Sequence, residues 1–387
     1  MSRTHRRDHN SLPLGRRVAE LRAHRGMSQQ AFADRLGKSK SWVDKIERGV
    51  RRLDRYSVIR EIADVLRLDP EILLDRRRPA PTTPSLDGVD AIRAALAQYH
   101  DRPQRTITAD QVRRHVAHAW MTYQHGRYPQ LGNALPGLLD ATHGTRSLLA
   151  ATYRITAALL VKLDHPELAW LAADRAVTIG GGPTLTATGT IAVAEALRAL
   201  GHHRLALSAA LTVADNTDDD GVRGTLFLQA GLAAAGDGDR RNAHDLLDHA
   251  ATLADRQVDD TDPYHSGFGP VAVELARSLA AHRLGDTIEA VRRHEHAVRS
   301  DGWRRLSPEQ RAAALVDAAR AYLDTGDPVA AGHALLDADR IAPAEIRSRP
   351  VARTLLAEVI QRAPAPPDVA RLSTTLGLTP DTTTLRS

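Results

Sequence analysis

Apolar residues recur three and four positions apart along almost the whole chain, which is the spacing of an amphipathic helix. Ser28 is a candidate N-cap, and Gly37 is a candidate helix end. No segment alternates with a period of two over a useful length, so we expect no sheet and an all-α protein. In residues 12–75 the pattern predicts five short helices, in "LGRRVAELRAHRG", "SQQAFADRLG", "GKSKSWVDKIERG", "SVIREIADVLRL" and "DPEILL".

After a proline-rich stretch, "RRRPAPTTPS", the pattern changes to a long series of Ala- and Leu-rich helices joined by similar short turns. The turns lie 35 to 49 residues apart, a period typical of stacked helical hairpins. Their markers are Gly126, Asp164, Gly201, Gly236, Gly285 and Gly326. We therefore predict a basic arm (1–11), a head (12–75), a linker (76–86), a helical repeat body (87–363) and a C-terminal tail (364–387).

Charge is unevenly divided between these parts. Residues 1–80 contain 20 Lys and Arg against 11 Asp and Glu, net +9, whereas the remainder contains 32 against 36, net −4. A basic end on a mildly acidic body indicates binding to a polyanion. The chain has no cysteine, and no apolar run approaches the roughly 20 residues that cross a bilayer. We expect a cytoplasmic protein without disulfides, membrane contact or signal peptide.

The third predicted helix has two different faces. Trp42, Val43 and Ile46 gather on one side, where they would pack on a core. The opposite side, within about 140°, carries polar and cationic groups, which are Lys40, Ser41, Asp44, Lys45 and Arg48. A helix, a tight turn and such a second helix give the order of a helix-turn-helix, whose second helix enters the major groove. A solvated polar face is the alternative.

The segment "SQQAFADRLGKSKSWVDKIERG" closely resembles the Cro/phage-repressor (XRE)-type helix-turn-helix family, and the resemblance covers residues 12–75. It implies that glutamines after the cap lie at a phosphate, that the cationic face reads bases, and that further basic residues hold flanking phosphates. It also implies an architectural ion pair between Arg22 and Glu47. The implied DNA contacts are Gln29, Gln30, Lys38, Ser39, Lys40, Ser41, Asp44, Lys45, Arg48, Arg51, Arg52 and Arg55.

The repeat region resembles tetratricopeptide-type helical hairpins, and residues 265–362 are similar to the C-terminal bodies of actinobacterial regulators with this head. The likeness implies an α-solenoid. One interval contains an insertion, "DDTDPYHSGFGP", whose aromatic residues either cover a ligand pocket or anchor the loop on the core. With residues of the following repeat, they form a candidate effector site: Tyr264, His265, Phe268, Arg292, His294 and Trp303.

Catalytic signatures are missing from the sequence, which contains no HEXXH, GxSxG or phosphate-loop motif. We therefore expect no enzyme, no metal and no cofactor. The sequence predicts a transcription regulator, more specifically a repressor. Its partners would be double-stranded operator DNA, a second copy in a homodimer, and a peptide, small-molecule or protein effector. The alternative is a helical-repeat interaction scaffold with an auxiliary DNA-binding head.

Overall fold

A computed structural model of the protein describes residues 14–24, 27–50, 58, 61–62, 65–66, 87–98, 108–256, 262–362 and 367–378. The chain forms two compact units, residues 1–82 and 83–387, which we call the head and the body. All regular structure in the described ranges is helical, as the spacing of apolar residues predicted. None of the described helices is long and apolar enough to span a bilayer.

Three helices of the head are described from end to end: α1 (Leu14–His24), α2 (Gln29–Leu36) and α3 (Lys40–Glu47). The Ser28 hydroxyl caps α2 by accepting from the Ala31 amide at 3.1 Å, and Gly37 ends it with φ of 63°. Ser39 caps α3 in the same way. The shared core consists of Val18, Phe32, Ala33, Val43, Ile62 and Leu66.

A close approach of two backbones sets the position of α3 in the head. A Cβ placed on Gly15 of α1 would lie 2.0 Å from the carbonyl oxygen of Ile46 in α3. Only glycine therefore allows α1 to cross α3 at this distance. The outward direction of the polar side of α3 follows from this contact and from the burial of Val43 and Ile46.

The body begins with α4 (Asp87–Ala97), α5 (Ala109–Gln124) and α6 (Tyr128–Ala141). Five helical hairpins follow, with many helices starting at proline, the residue best tolerated in a first turn. Their helices are α7 (Arg146–Lys162), α8 (Pro166–Thr178), α9 (Pro183–Ala199), α10 (His203–Ala214), α11 (Asp220–Gly236), α12 (Arg240–Ala254), α13 (Pro270–Arg283), α14 (Thr287–Arg299), α15 (Pro308–Asp324) and α16 (Pro328–Ile341). A 3₁₀ helix (Asp301–Arg305) precedes α15, and α17 (Pro343–Arg347), α18 (Pro350–Arg362) and α19 (Pro367–Thr375) complete the described body.

The hairpins stack in two layers. Each odd-numbered helix from α7 to α15 contacts the next odd-numbered helix, so these five form one continuous inner layer. The even-numbered helices α8 to α16 pack on their hairpin partners and form the outer layer. This α-solenoid arrangement confirms the fold class that the repeating turns predicted.

Two boundaries differ from the sequence prediction. In the turn after α11 the left-handed residue is Gly238, with φ of 83°, because Gly236 still belongs to the helix. Residues 364–387 were assigned to a tail, but α19 lies within them and buries Val369 and Leu372 in the C-terminal core. The helix follows the proline-rich stretch "RAPAPPD". Because prolines usually interrupt helices, this stretch predicted that the folded body ends there.

Some predicted features lie outside the described residues. They are the basic arm (1–11), the linker (76–86), the fifth head helix and the phosphate contacts Arg51, Arg52 and Arg55. The fourth head helix is described only at residues 58, 61–62 and 65–66, which are helical.

Candidate DNA-reading helix and effector cavity

The polar side of α3 is accessible. Lys40, Ser41 and Lys45 are exposed, whereas Val43 and Ile46 on the other side are at most 2% exposed. The hydrophobic effect therefore fixes which side of α3 faces the core. The three exposed groups are hydrogen-bond donors of the kind that reaches base edges in a major groove. We call Lys40, Ser41 and Lys45 the reading face.

Side chains beside the reading face already have partners. Arg48 forms an ion pair with Asp44 one turn earlier on α3. The Gln30 amide donates to Asp34 at 2.8 Å. Lys38 and Ser39 lie exposed in the turn between α2 and α3, with Ser39 capping α3.

Three side chains join the helices of the head, and we call Arg22, Gln29 and Glu47 the head clasp. The Arg22 guanidinium donates to both Glu47 oxygens, at 2.6 and 3.0 Å, and to the Met27 carbonyl at 2.6 Å. The Gln29 amide donates to Glu47 at 2.8 Å. Hydrogen bonding to Glu47 raises the pKa of Arg22. Sequence reasoning placed Gln29 at a phosphate, but in this structure its amide holds α2 against α3.

The inner layer of the body surrounds a cavity of about 490 Å³. Its walls come mainly from α5, α7, α9, α11, α13 and α15, with Ala290 and His294 of α14, and the insertion loop contributes residues 265–267. Ligand pockets in proteins commonly have volumes of about 300–1,000 Å³. The cavity is therefore large enough for a small organic molecule.

The insertion loop is anchored mainly on the core. Phe268 packs so closely on α11 that a Cβ on Gly224 would lie 2.1 Å from its ring. Tyr264 packs against the core of α9 to α11, and the Asp262 carboxylate accepts from the amides of Ser266 and Gly267 at 2.8 and 2.7 Å. These contacts correspond to the anchoring alternative for Tyr264 and Phe268. His265 differs, since it lines the cavity.

His265 stacks on Trp120 of α5 with a centroid distance of 4.8 Å. From the following repeat, His294 also lines the cavity and is 4% exposed. Burial lowers the pKa of His294 to about 4, so its ring is neutral at pH 7. The other two predicted neighbours do not line the cavity. Arg292 is exposed and pairs with Glu289 at 2.6 Å, whereas Trp303 packs on the C-terminal core.

Charged groups on otherwise apolar inner helices line the cavity, and sequence reasoning did not identify them. Arg154 of α7 is 8% exposed and donates to the Tyr264 carbonyl at 2.7 Å. On α9 and α11, Gln229 connects two further charges by accepting from Arg198 and donating to Glu195 at 3.0 Å. Burial lowers the pKa of Arg154 and of Arg198 to about 10, so both remain charged at pH 7. The only signal in the sequence is the presence of charges inside the apolar runs "TYRITAALLVK" and "AVAEALRAL".

A second buried cluster joins the two ends of the body, and we call it the body clasp: Tyr128, Lys162, Glu309, Glu345 and Arg349. The fully buried Glu345 carboxylate accepts from the Tyr128 hydroxyl and pairs with Arg349. Lys162 pairs with Glu309 at 2.5 Å and with Glu345 at 3.0 Å. Residues from α6 and α7 are thereby connected to residues some 150 to 220 positions later, from α15, α17 and the residue that directly precedes α18.

A family comparison identifies the head. Residues 13–75 match the family described as "Helix-turn-helix domain". The head is a helix-turn-helix domain. No curated protein sequence matches the chain.

Two solved structures are similar to the whole chain at low identity. One is PlcR of Bacillus thuringiensis in complex with the peptide PapR7 and DNA, with 11% identity, a TM-score of 0.36, and coverage of 94% of this chain and 98% of that one. The other is a Rap protein complexed with competence and sporulation factor, with 12% identity, a TM-score of 0.43, and coverage of 94% and 99%. Both similarities are too low to support a conclusion about this chain beyond the helical fold that its own structure shows.

Acid should weaken the body clasp. Although burial opposes it, the charges of Lys162 and Arg349 hold the pKa of Glu345 well below its ordinary value of 4.5. A carboxyl group with a lower pKa in the folded state stabilises that state fully above its ordinary pKa, and this contribution is lost as the pH falls toward the folded-state pKa. We expect the melting temperature of the body to drop between about pH 5 and pH 2, measured by circular dichroism. Glu345→Gln should flatten this dependence, and an unchanged slope would contradict the assignment to Glu345.

Proposed function

We propose that the chain is a sequence-specific transcription regulator that represses by occupying operator DNA, and that its body dimerises and binds an effector. The observation that carries this proposal is the reading face, three exposed donors on the second helix of a helix-turn-helix domain. The buried opposite side of α3 and the contact at Gly15 hold this helix in one orientation.

Charge supports the same proposal. Residues 1–80 carry net +9, so the head is attracted to the phosphates of any duplex. Selectivity then requires contacts to base edges, which the reading face supplies. One head alone makes few such contacts, which is the physical reason to propose a homodimer on a palindromic site.

For the body, we propose effector binding without catalysis. The cavity combines aliphatic side chains with many polar and charged ones, which gives a ligand both an apolar surface and hydrogen-bond partners. The sequence contains no HEXXH, GxSxG or phosphate-loop motif. An effector that binds one arrangement of the body more tightly than another would shift the population of the form that binds DNA.

The test starts from selection of binding sites out of random duplex DNA by the full-length protein. We expect one palindromic sequence to be enriched. Fluorescence anisotropy at fixed salt should then show that Lys40→Ala with Lys45→Ala weakens binding to that sequence about tenfold to hundredfold, because each base contact contributes about 1–3 kcal/mol. Discrimination against scrambled DNA should fall with it.

A matched control removes two positive charges elsewhere. Arg204→Ala with Arg241→Ala changes two body side chains that are 84% and 92% exposed, and should leave the affinity unchanged. Uniformly weak binding to every duplex, without an enriched sequence, would instead favour the scaffold whose head is auxiliary.

A further inference from the structure

The wall of the cavity contains a buried cation without a carboxylate partner. Among the described residues, no carboxylate lies within 4.0 Å of the Arg154 guanidinium. Its contacts are the Tyr264 carbonyl at 2.7 Å and the face of Trp120, 5.3 Å from the ring centroid. A desolvated guanidinium is costly to the fold unless another group compensates its charge. Two neutral contacts leave most of its five donors available.

A second arginine of the wall has an unused donor. The Nε of Arg198 is buried and has no hydrogen-bond partner among the described residues. Its other end donates to the Gln229 side chain, which is neutral. An unsatisfied buried N–H costs about 1–3 kcal/mol, so an acceptor at this position would stabilise the protein. Arg154 and Arg198 lie on neighbouring helices of the inner layer, α7 and α9.

Asp317 also lines the cavity near Arg198 but forms no ion pair with it within 4.0 Å, and the other nearby carboxylates are used by other donors. Glu195 accepts from the Gln229 amide, and Asp262 accepts from two loop amides. Glu309 and Glu345 belong to the body clasp, where they neutralise Lys162 and Arg349. Within the described body, the positive charges of Arg154 and Arg198 therefore have no direct carboxylate partner.

The rest of the wall mixes aliphatic and polar side chains. Much of it consists of alanine, leucine, isoleucine and valine side chains from five inner helices, for example Val161, Ile191, Leu228, Leu279 and Ala313. This surface suits an apolar molecular body, and the two arginines suit an anionic group at its end. Arginine binds carboxylate and phosphate oxygens particularly well, because its donors match their spacing.

We propose that the cavity binds a small amphipathic organic acid, with its anionic group on Arg198, the wall cation with an unused buried donor, or on Arg154, and its apolar body against the aliphatic side chains of the wall. The proposal rests on the effector role of the body and names the chemical class of the effector. General attraction does not explain such a preference, since residues 81–387 carry 32 basic and 36 acidic side chains. A carboxylate and a phosphate share the chemistry that the arginines recognise.

The test uses two fluorescent probes that differ by one sulfonate group. They are 8-anilinonaphthalene-1-sulfonate, which is anionic, and N-phenyl-1-naphthylamine, which is uncharged. In titrations of the full-length protein we expect the anionic probe to bind about tenfold more tightly or better, the usual gain for hydrogen bonds to a charged group. Competition by decanoate or by decyl phosphate should then identify the head group, with decanol as the uncharged control. Equal binding of both probes, or displacement by decanol as good as by either acid, would overturn the proposal.

Variants assign the preference to the cavity. Arg198→Met should reduce the preference for the anionic probe to nearly one while the uncharged probe still binds, which also shows that the cavity is intact. Arg204→Met removes the same charge from an exposed body position and should keep the preference. If Arg198→Met loses both probes, Arg154→Met provides the same comparison. A preference that survives in both cavity variants would place the anion elsewhere and reject the site. Because none of these titrations contains DNA, their failure would leave the test of DNA binding standing.

Discussion

Glu345→Ala is expected to lower the free energy of unfolding of the body by about 3–5 kcal/mol, the usual cost of removing one partner from a buried ion pair. The carboxylate is fully buried and accepts from Tyr128 while pairing with Lys162 and Arg349. Without it, the Arg349 guanidinium loses its only ion-pair partner among the described residues, and a buried hydroxyl loses its acceptor. The measurement is urea unfolding followed by hydrogen–deuterium exchange, which separates body peptides from head peptides.

The comparison for Glu345→Ala is Asp337→Ala, which breaks an exposed pair with Arg340 at 2.8 Å on α16. Surface pairs of this kind contribute about 0–1 kcal/mol. We also expect faster exchange at both ends of the body in Glu345→Ala, in α6 and in α17, because the clasp joins them. Equal losses in the two variants would mean that the clasp does not hold the ends together.

The head was predictable because its information is local. Ser28 and Gly37 act through hydrogen bonds and dihedral angles within a few residues of their own position. The division of α3 into a buried and an exposed side follows from helical periodicity alone. The contact at Gly15 was not predictable, since it depends on where another helix crosses.

The charged interior of the body could not be read from the sequence. Arg154, Glu195 and Arg198 lie on helices that are apolar on most sides, and periodicity does not show which side of such a helix faces a cavity. The body clasp depends on contacts between residues more than 140 positions apart. Lys162 carried a weak signal as the one lysine of four that lies outside the head.

In the insertion loop, one feature could be predicted from the sequence and another could not. Its aromatic residues stood out in a chain with three phenylalanines and four tryptophans. Composition indicated that the loop was anchored or bound a ligand, but not which residue did which. In the structure Phe268 packs on Gly224 and His265 reaches the cavity, because neighbouring residues of an irregular loop face different directions.

Glu47→Ala should strongly destabilise the head. It removes the acceptor of Arg22 and Gln29 at once and leaves a guanidinium that is only 14% exposed without its counter-charge. We expect a loss of roughly 2–4 kcal/mol, near the lower end for buried pairs because Arg22 retains some solvent. Exchange of amides in residues 14–50 during urea titration measures it. The control is Asp34→Ala, which changes an exposed acceptor on α2 and should cost far less.

A double substitution shows whether the stability lost in Glu47→Ala comes from an unpaired buried charge or from lost packing. Arg22→Met with Glu47→Met removes both charges of the head clasp together and should recover much of the stability lost in Glu47→Ala, since no unpaired buried charge remains. The reading face is untouched in this variant, so DNA affinity should recover with folding. A double variant as unstable as Glu47→Ala would show that packing around Glu47, rather than its charge, holds α3 in place.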